Sequence, residues 1–197
     1  MSGPLPDGAR PGDDADVPRP SPRPRRTGPE GDVQVYGSDE QSAAEVDVAR
    51  WVELARNVLL EEGVRGDAEL SLLFVDEEAI AELNKRFMEK DGPTDVLAFP
   101  IDEPISGRWP DAGTTGPDRD EPDDDDLPLL LGDVVVCPAV AERQAPEHAG
   151  TYDDEVALLV VHGILHVLGH DHAEPEETAV MQARERDLLD RFHRGRS

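Results

Sequence analysis

This 197-residue sequence is short of several things, and each shortage removes a class of explanation. It has one cysteine, Cys137, so no disulfide framework can form within the chain, and that residue, following an apolar run, reads as a small buried hydrophobe. Basic residues are few, 19 Lys and Arg against 45 Asp and Glu, and the formal charge of -26 argues against a broad positive surface that wraps nucleic acid. Any nucleic-acid contact must be local. The longest apolar run, Val156 to Val161, is far short of the roughly 18 residues a membrane span needs, and the opening stretch MSGPLPDGARPGDDADVPRP lacks the apolar segment of a secretory signal. The chain therefore reads as cytoplasmic. Aromatics are 4% against 37% hydrophobic residues, with 18 Pro and 17 Gly, which points to an ordered part joined to segments with little to bury.

Those segments can be located. Residues 1–30 hold eight prolines and equal numbers of acids and arginines, and read as a disordered tail. Residues 102–128 form a Pro, Gly and Asp-rich acidic insertion containing Asp123 to Asp126, read as flexible and solvated because it lacks the spacing of a calcium loop. The rest, 31–193, reads as one domain. Alternation predicts strands at 32–36, 68–75, 96–99 and 132–137. Helical spacing predicts helices over 45–62, from Asp76 as a cap to Met88, from Pro138, from Asp153 to Leu168, and from about Pro175. On the last, Val180, Met181, Leu188 and Leu189 face inward and Arg184, Arg186 and Arg191 outward. This order suggests an α+β or mixed α/β layer covered by helices.

The chemistry lies in VVHGILHVLGHDH. His162 and His166 are four residues apart on a predicted helix, where side chains project one above the other and two imidazoles can grip one ion. Gly169 can adopt the left-handed conformation that ends a helix, letting the chain turn back and deliver His172. Three imidazoles with an open fourth position describe a catalytic zinc site. His170 falls on the turn and is expected to face solvent, and His148 and His193 read as surface residues. Asp171, beside a ligand, is a candidate acceptor for a histidine N–H or simply closes the turn. The spacing also fits the metzincin protease pattern except at Gly163, where those enzymes keep the glutamate that takes a proton from the attacking water. Glycine cannot do this, and Glu155 is about two turns away. A phosphodiester, which brings its own negative oxygens, makes less demand on a protein base.

His162-Gly163-Ile164-Leu165-His166-Val167-Leu168-Gly169-His170-Asp171-His172 resembles the HGxLHLxGxDH signature of the YbeY family of bacterial rRNA-maturation endoribonucleases. Two more blocks agree in order: Leu83-Asn84 through Pro93-Thr94-Asp95-Val96-Leu97-Ala98-Phe99-Pro100, and Leu131-Gly132-Asp133-Val134-Val135-Val136. The resemblance covers about residues 32 to 192. It implies an α+β fold with a mixed sheet of about four strands, surrounding helices and a zincin-like metal-site helix. It implies one Zn2+ held by His162, His166 and His172, and cleavage of single-stranded RNA in 16S rRNA 3' end maturation and ribosome quality control. Implied partners are single-stranded rRNA, the small ribosomal subunit and its proteins, and the Era GTPase, with neither DNA nor membrane. Many relatives carry a phosphate-binding arginine where this chain has Met88, so Arg86 and, more so, Lys90 in the following loop are the candidates to supply that charge. Thr94 and Asp95, and similarly Asp133, either lie near the cleft or order the local backbone.

Water and the ribose 2'-hydroxyl both remain open as the nucleophile. A non-catalytic assembly factor of the small subunit, with structural zinc, is the alternative that the acidity of the chain favours.

Overall fold

The computed structural model describes residues 32–101, 128–170 and 175–196. The proline-rich tail, the acidic stretch 102–127, Asp171 and His172 lie outside them.

Four strands form one mixed sheet: β1 (Val33–Asp39), β2 (Ala68–Phe74), β3 (Val96–Pro100) and β4 (Leu129–Val136), in the order β1-β2-β4-β3. β1, β2 and β4 run parallel, and β3 pairs antiparallel with β4 at the edge. The α+β expectation of a four-stranded mixed sheet is what the chain forms. β4 begins three residues before its alternation suggested, because a bulge resets the pattern opposite Glu69 and Leu70. Gly132 sits at that irregularity with φ +147°, and a Cβ there would come within 2.2 Å of the Phe99 carbonyl oxygen, so only glycine fits.

Alternation along the strands divides the core between two faces. Leu70, Leu72, Phe74, Val134 and Val136 point toward α1 (Val48–Glu61) and α4 (Tyr152–Val167), over which α5 (Pro175–Phe192) packs. Leu97, Val135 and Val75 point the other way, toward Ile80 of α2 (Glu77–Met88) and Val140 of α3 (Pro138–Gln144). Cys137 is fully buried on this second side, and burial pushes its thiol up from the ordinary value.

Helix starts follow the expected chemistry. Asp76 caps α2 by accepting from the Ala79 amide at 2.8 Å, and Thr151 caps α4 by accepting from Asp154 at 3.1 Å, just ahead of the acids that favour a helix N-terminus. α4 is buried on most sides, as a helix laid between a sheet and two other helices must be. Gly163 makes its approach possible: a Cβ there would fall 2.6 Å from Val134 Cγ1 and 3.4 Å from Val96 Cγ2. No helix among the described residues is long and apolar enough to cross a membrane.

Candidate metal centre

His162 and His166 project from one face of α4, and His162 reaches across to α5. Their rings are 4.6 Å apart between centroids and nearly perpendicular, and their Nε2 atoms stand 3.2 Å from each other. Two nitrogens each about 2.05 Å from a tetrahedral ion are about 3.3 Å apart, so the pair already has the spacing of two zinc ligands. The same 3.2 Å also accommodates a hydrogen bond between the rings when one Nε2 carries a proton, as metal-free imidazoles require.

The other nitrogen of His162 decides which atom faces the site. Its Nδ1 lies 2.6 Å from Oε1 of Glu185, a residue of α5 only 8% exposed. The carboxylate accepts the Nδ1 proton, which leaves Nε2 with its lone pair and fixes the ring, as carboxylates behind metal-bound histidines do. Sequence reasoning missed Glu185. It sits four residues after Met181 and three before Leu188, inside the apolar stripe of α5, and an acid in that stripe was the available sign. Asp171, the acceptor suggested instead, lies outside the described residues, as does His172. Gly169 does adopt φ +85°, with its amide donating to the His166 carbonyl at 2.9 Å and that of His170 to Leu165 at 2.9 Å, so α4 ends in the left-handed turn expected there. Among the described residues no cluster of three His, Cys, Asp or Glu is assembled.

Other residues fall differently from their sequence reading. His193 is not a surface residue: its side chain is 8% exposed, its Nε2 lies 2.9 Å from Asp154 and its ring lies 6.2 Å from that of Trp51. The Thr151 hydroxyl and His193 together hold the Asp154 carboxyl below its usual range, against burial. His148, largely exposed, lies 3.1 Å from Glu155, which is fully buried and also accepts from the Ala149 amide, so that acid is engaged well away from the histidine pair. Arg184 is partly buried and turns back to Glu62 at the end of α1, while Arg191 is exposed as expected and pairs there with Glu61. His170 is partly exposed and faces Glu62 at 3.5 Å. Burial works to raise the Glu62 carboxyl, but hydrogen bonds from His170 and Arg184 outweigh it and hold it low.

Beside His162 runs a cleft of about 450 Å³ between β3, α4 and α5, lined by Asp95, His148, Gln182, Glu185 and Arg186 among others. Asp95 satisfies both of its readings, since it lines the cleft and also orders the backbone by accepting from the Val96 amide at 2.8 Å and the Thr94 hydroxyl at 3.0 Å. Arg86 and Lys90 do not line it. They lie at the far end of α2, whose Phe87 packs edge-on against Phe99, and the Arg86 guanidinium rests 5.1 Å over its own neighbour Phe87. Asp133 is likewise off the cleft, paired with Phe99 on β4, where the alternation set by Val134 and Val136 turns it to the α2 side.

Known proteins share the sequence over most of its length. The profile of the family described as Endoribonuclease YbeY matches residues 36–193. The Endoribonuclease YbeY of Frankia casuarinae is 44% identical over 80% of this chain and 73% of its own, and that of Salinispora tropica is 46% identical over 80% and 95%. The solution structure of a Thermotoga maritima protein is similar at 23% identity and a TM-score of 0.48, covering 83% of this chain and 93% of that one. By the extent of the family match and the identity to these relatives, the chain belongs to the YbeY endoribonuclease family.

Proposed function

We propose that this chain is a zinc-dependent endoribonuclease that cuts single-stranded rRNA in the cytoplasm, acting in 16S rRNA 3' end maturation and ribosome quality control with the small subunit and the Era GTPase as partners. The observation that carries the reading is the pair of Nε2 atoms 3.2 Å apart, one of them oriented by a buried carboxylate, beside a cleft large enough for a nucleotide.

His162 and His166 would hold the ion, with His172 completing the set from the turn after Gly169. When bound, a zinc ion supplies Lewis acidity at a phosphoryl oxygen and acidifies water. The chain's own residues do the rest. Glu185 keeps the proton of His162 on Nδ1, so that Nε2 is always the free donor atom. Gly163 offers no proton acceptor where proteases with this spacing keep theirs, and its packing against Val134 leaves no room for one. Glu155 is occupied by His148 and the Ala149 amide. Asp95, on the opposite wall, is held rigid by Thr94 and the Val96 amide and bounds where the strand can lie.

The charge of -26 favours one other reading, an assembly factor that docks through protein contacts and does not cut. A joint measurement of metal content and cleavage, on wild type and His166→Ala, separates the two, using a 3'-extended 16S fragment both free and within small subunits. Loss of zinc together with loss of cleavage supports the nuclease. Zinc binding with neither substrate cut supports the assembly factor, and unchanged zinc in His166→Ala removes that residue as a ligand. A 2',3'-cyclic phosphate end on the product identifies the 2'-hydroxyl as nucleophile.

A further inference from the structure

The cleft has a second wall whose chemistry the histidine pair does not use. On α5, Thr178, Gln182 and Arg186 recur every fourth residue, so they rise in one row along the helix, and all three line the cleft. Their neighbours Met181, Glu185, Leu188 and Leu189 are buried, which fixes the rotation of α5 and holds the row toward the opening.

Cations are scarce in this chain, and most of those among the described residues are committed. Arg184 binds Glu62 at 2.6 Å, Arg191 binds Glu61, Arg194 reaches Asp190 at 2.7 Å and Arg143 reaches Glu77 at 2.6 Å. Arg186 is exposed and makes no hydrogen bond or ion pair among the described residues, although Asp95, Asp154 and Glu185 line the same cleft and Asp187 is its neighbour in sequence. Each of those acids is engaged elsewhere: Glu185 by His162, Asp187 by Arg184, Asp154 by Thr151 and His193, and Asp95 by Thr94 and the Val96 amide. The guanidinium is thus a planar fork of donors, unpaired among the described residues, in the same cleft as His162. Its chemistry matches a phosphodiester oxygen pair better than any other anion an RNA strand carries.

We infer that Arg186 anchors a phosphate of the RNA strand and that the row Thr178, Gln182, Arg186 is the rail along which the strand passes the histidine pair. The inference rests on the endoribonuclease reading and adds the residues that hold the substrate. Thr178 and Gln182 offer a hydroxyl and an amide, which bond phosphate and sugar oxygens without adding charge. One fixed guanidinium among acids also explains how so acidic a protein can meet RNA: attraction is confined to one spot while the rest of the surface repels, so only a strand entering the cleft is held.

The test uses the full chain, zinc-loaded and chelated, as wild type, Arg186→Gln and Arg186→Lys, with Lys85→Gln as a charge control, since Lys85 is 74% exposed on α2. Anisotropy of a short, unstructured fluorescein-labelled RNA gives Kd across a salt series, and cleavage of the same RNA gives KM and kcat. Arg186→Gln should raise Kd and KM about tenfold with kcat and zinc content unchanged, and should flatten the slope of log K against log salt by about 0.7, the share of one single-strand phosphate contact. Arg186→Lys should recover the slope but only part of the affinity, because a point charge replaces a fork. Lys85→Gln should move neither. If Arg186→Gln binds and cuts with wild-type constants and slope, the anchor is assigned wrongly while the nuclease reading stands; if wild type neither binds nor cuts RNA, both fall.

Discussion

Exchanging Glu185 for glutamine keeps the size of the side chain and an oxygen that can accept the Nδ1 proton of His162, and removes only the charge. The wild-type contact is 2.6 Å long with its acceptor 8% exposed, in the range of charge-assisted hydrogen bonds. Loss of such a partner behind a metal ligand costs about 10–100-fold in metal affinity, or about 1.4–2.7 kcal/mol. At fixed excess zinc that energy is lost from the folded state by mass action, and for a domain of this size the melting temperature should fall by about 3–10 °C. Without zinc the sign should differ. A buried carboxylate costs several kcal/mol to desolvate, offset by its bond to a neutral imidazole, whereas the amide costs less and keeps an acceptor. The chelated variant should therefore melt at or slightly above chelated wild type. Scanning fluorimetry with chelator and with excess zinc, beside a chelator-competition Kd, reads both arms. An equal drop in melting temperature in both conditions would make Glu185 a plain structural contact, and an unchanged zinc Kd would refute the argument outright.

Three other outcomes follow from contacts described above. Gly163→Ala should destabilise by about 1–3 kcal/mol in urea melts despite alanine's better helix propensity, because its Cβ would lie 2.6 Å from Val134 Cγ1, and Val134→Ala in the same chain should recover most of the loss; a stable single variant would show that α4 can lift at no cost. Arg184→Met should cost about 1–2 kcal/mol at pH 7 by leaving Glu62 with one partner fewer. The Glu62 carboxyl is held below its ordinary 4.5, so its contribution is present above that value and lost as pH falls through the lower folded value; a gap between variant and wild type that fails to narrow in acid would contradict this. Cys137, buried with its thiol pushed up, should resist iodoacetamide at pH 8 in the native protein and react once unfolded, and fast native labelling would place it at the surface.

The strands and all five helices were legible because their residues repeat at periods that burial enforces; Leu70, Leu72 and Phe74 alternate as a strand must, and Asp76 stands where a cap belongs. That His162 and His166 would meet was legible for a related reason, since two side chains on one face of a helix need only a spacing of four. What escaped was contact between elements far apart in sequence. Glu185 is 23 residues from His162 and Arg184 is 122 from Glu62, and no local pattern reports which acid a folded helix will bring to which partner. The same limit misplaced His193, whose basic neighbours suggested solvent although Asp154 and Trp51 enclose it. It also misplaced Arg86 and Lys90: their distance along the chain from Asp95 is small, yet α2 packs on the other face of the sheet.

The seat of α4 on the sheet bears on how this enzyme can change over time. A glutamate at position 163 would bring the spacing of a metzincin protease within one codon's reach of the chemistry, but the first carbon of that side chain already collides with Val134. Val134 would have to shrink first, and that shrinkage alone opens a void in the core at a cost of its own. A glutamate at 163 therefore meets a packing cost beneath α4 whatever it does at the surface. The divide between cutting phosphodiesters and cutting peptides is kept at this helix by the interior of the protein, one layer beneath the site where the reactions differ.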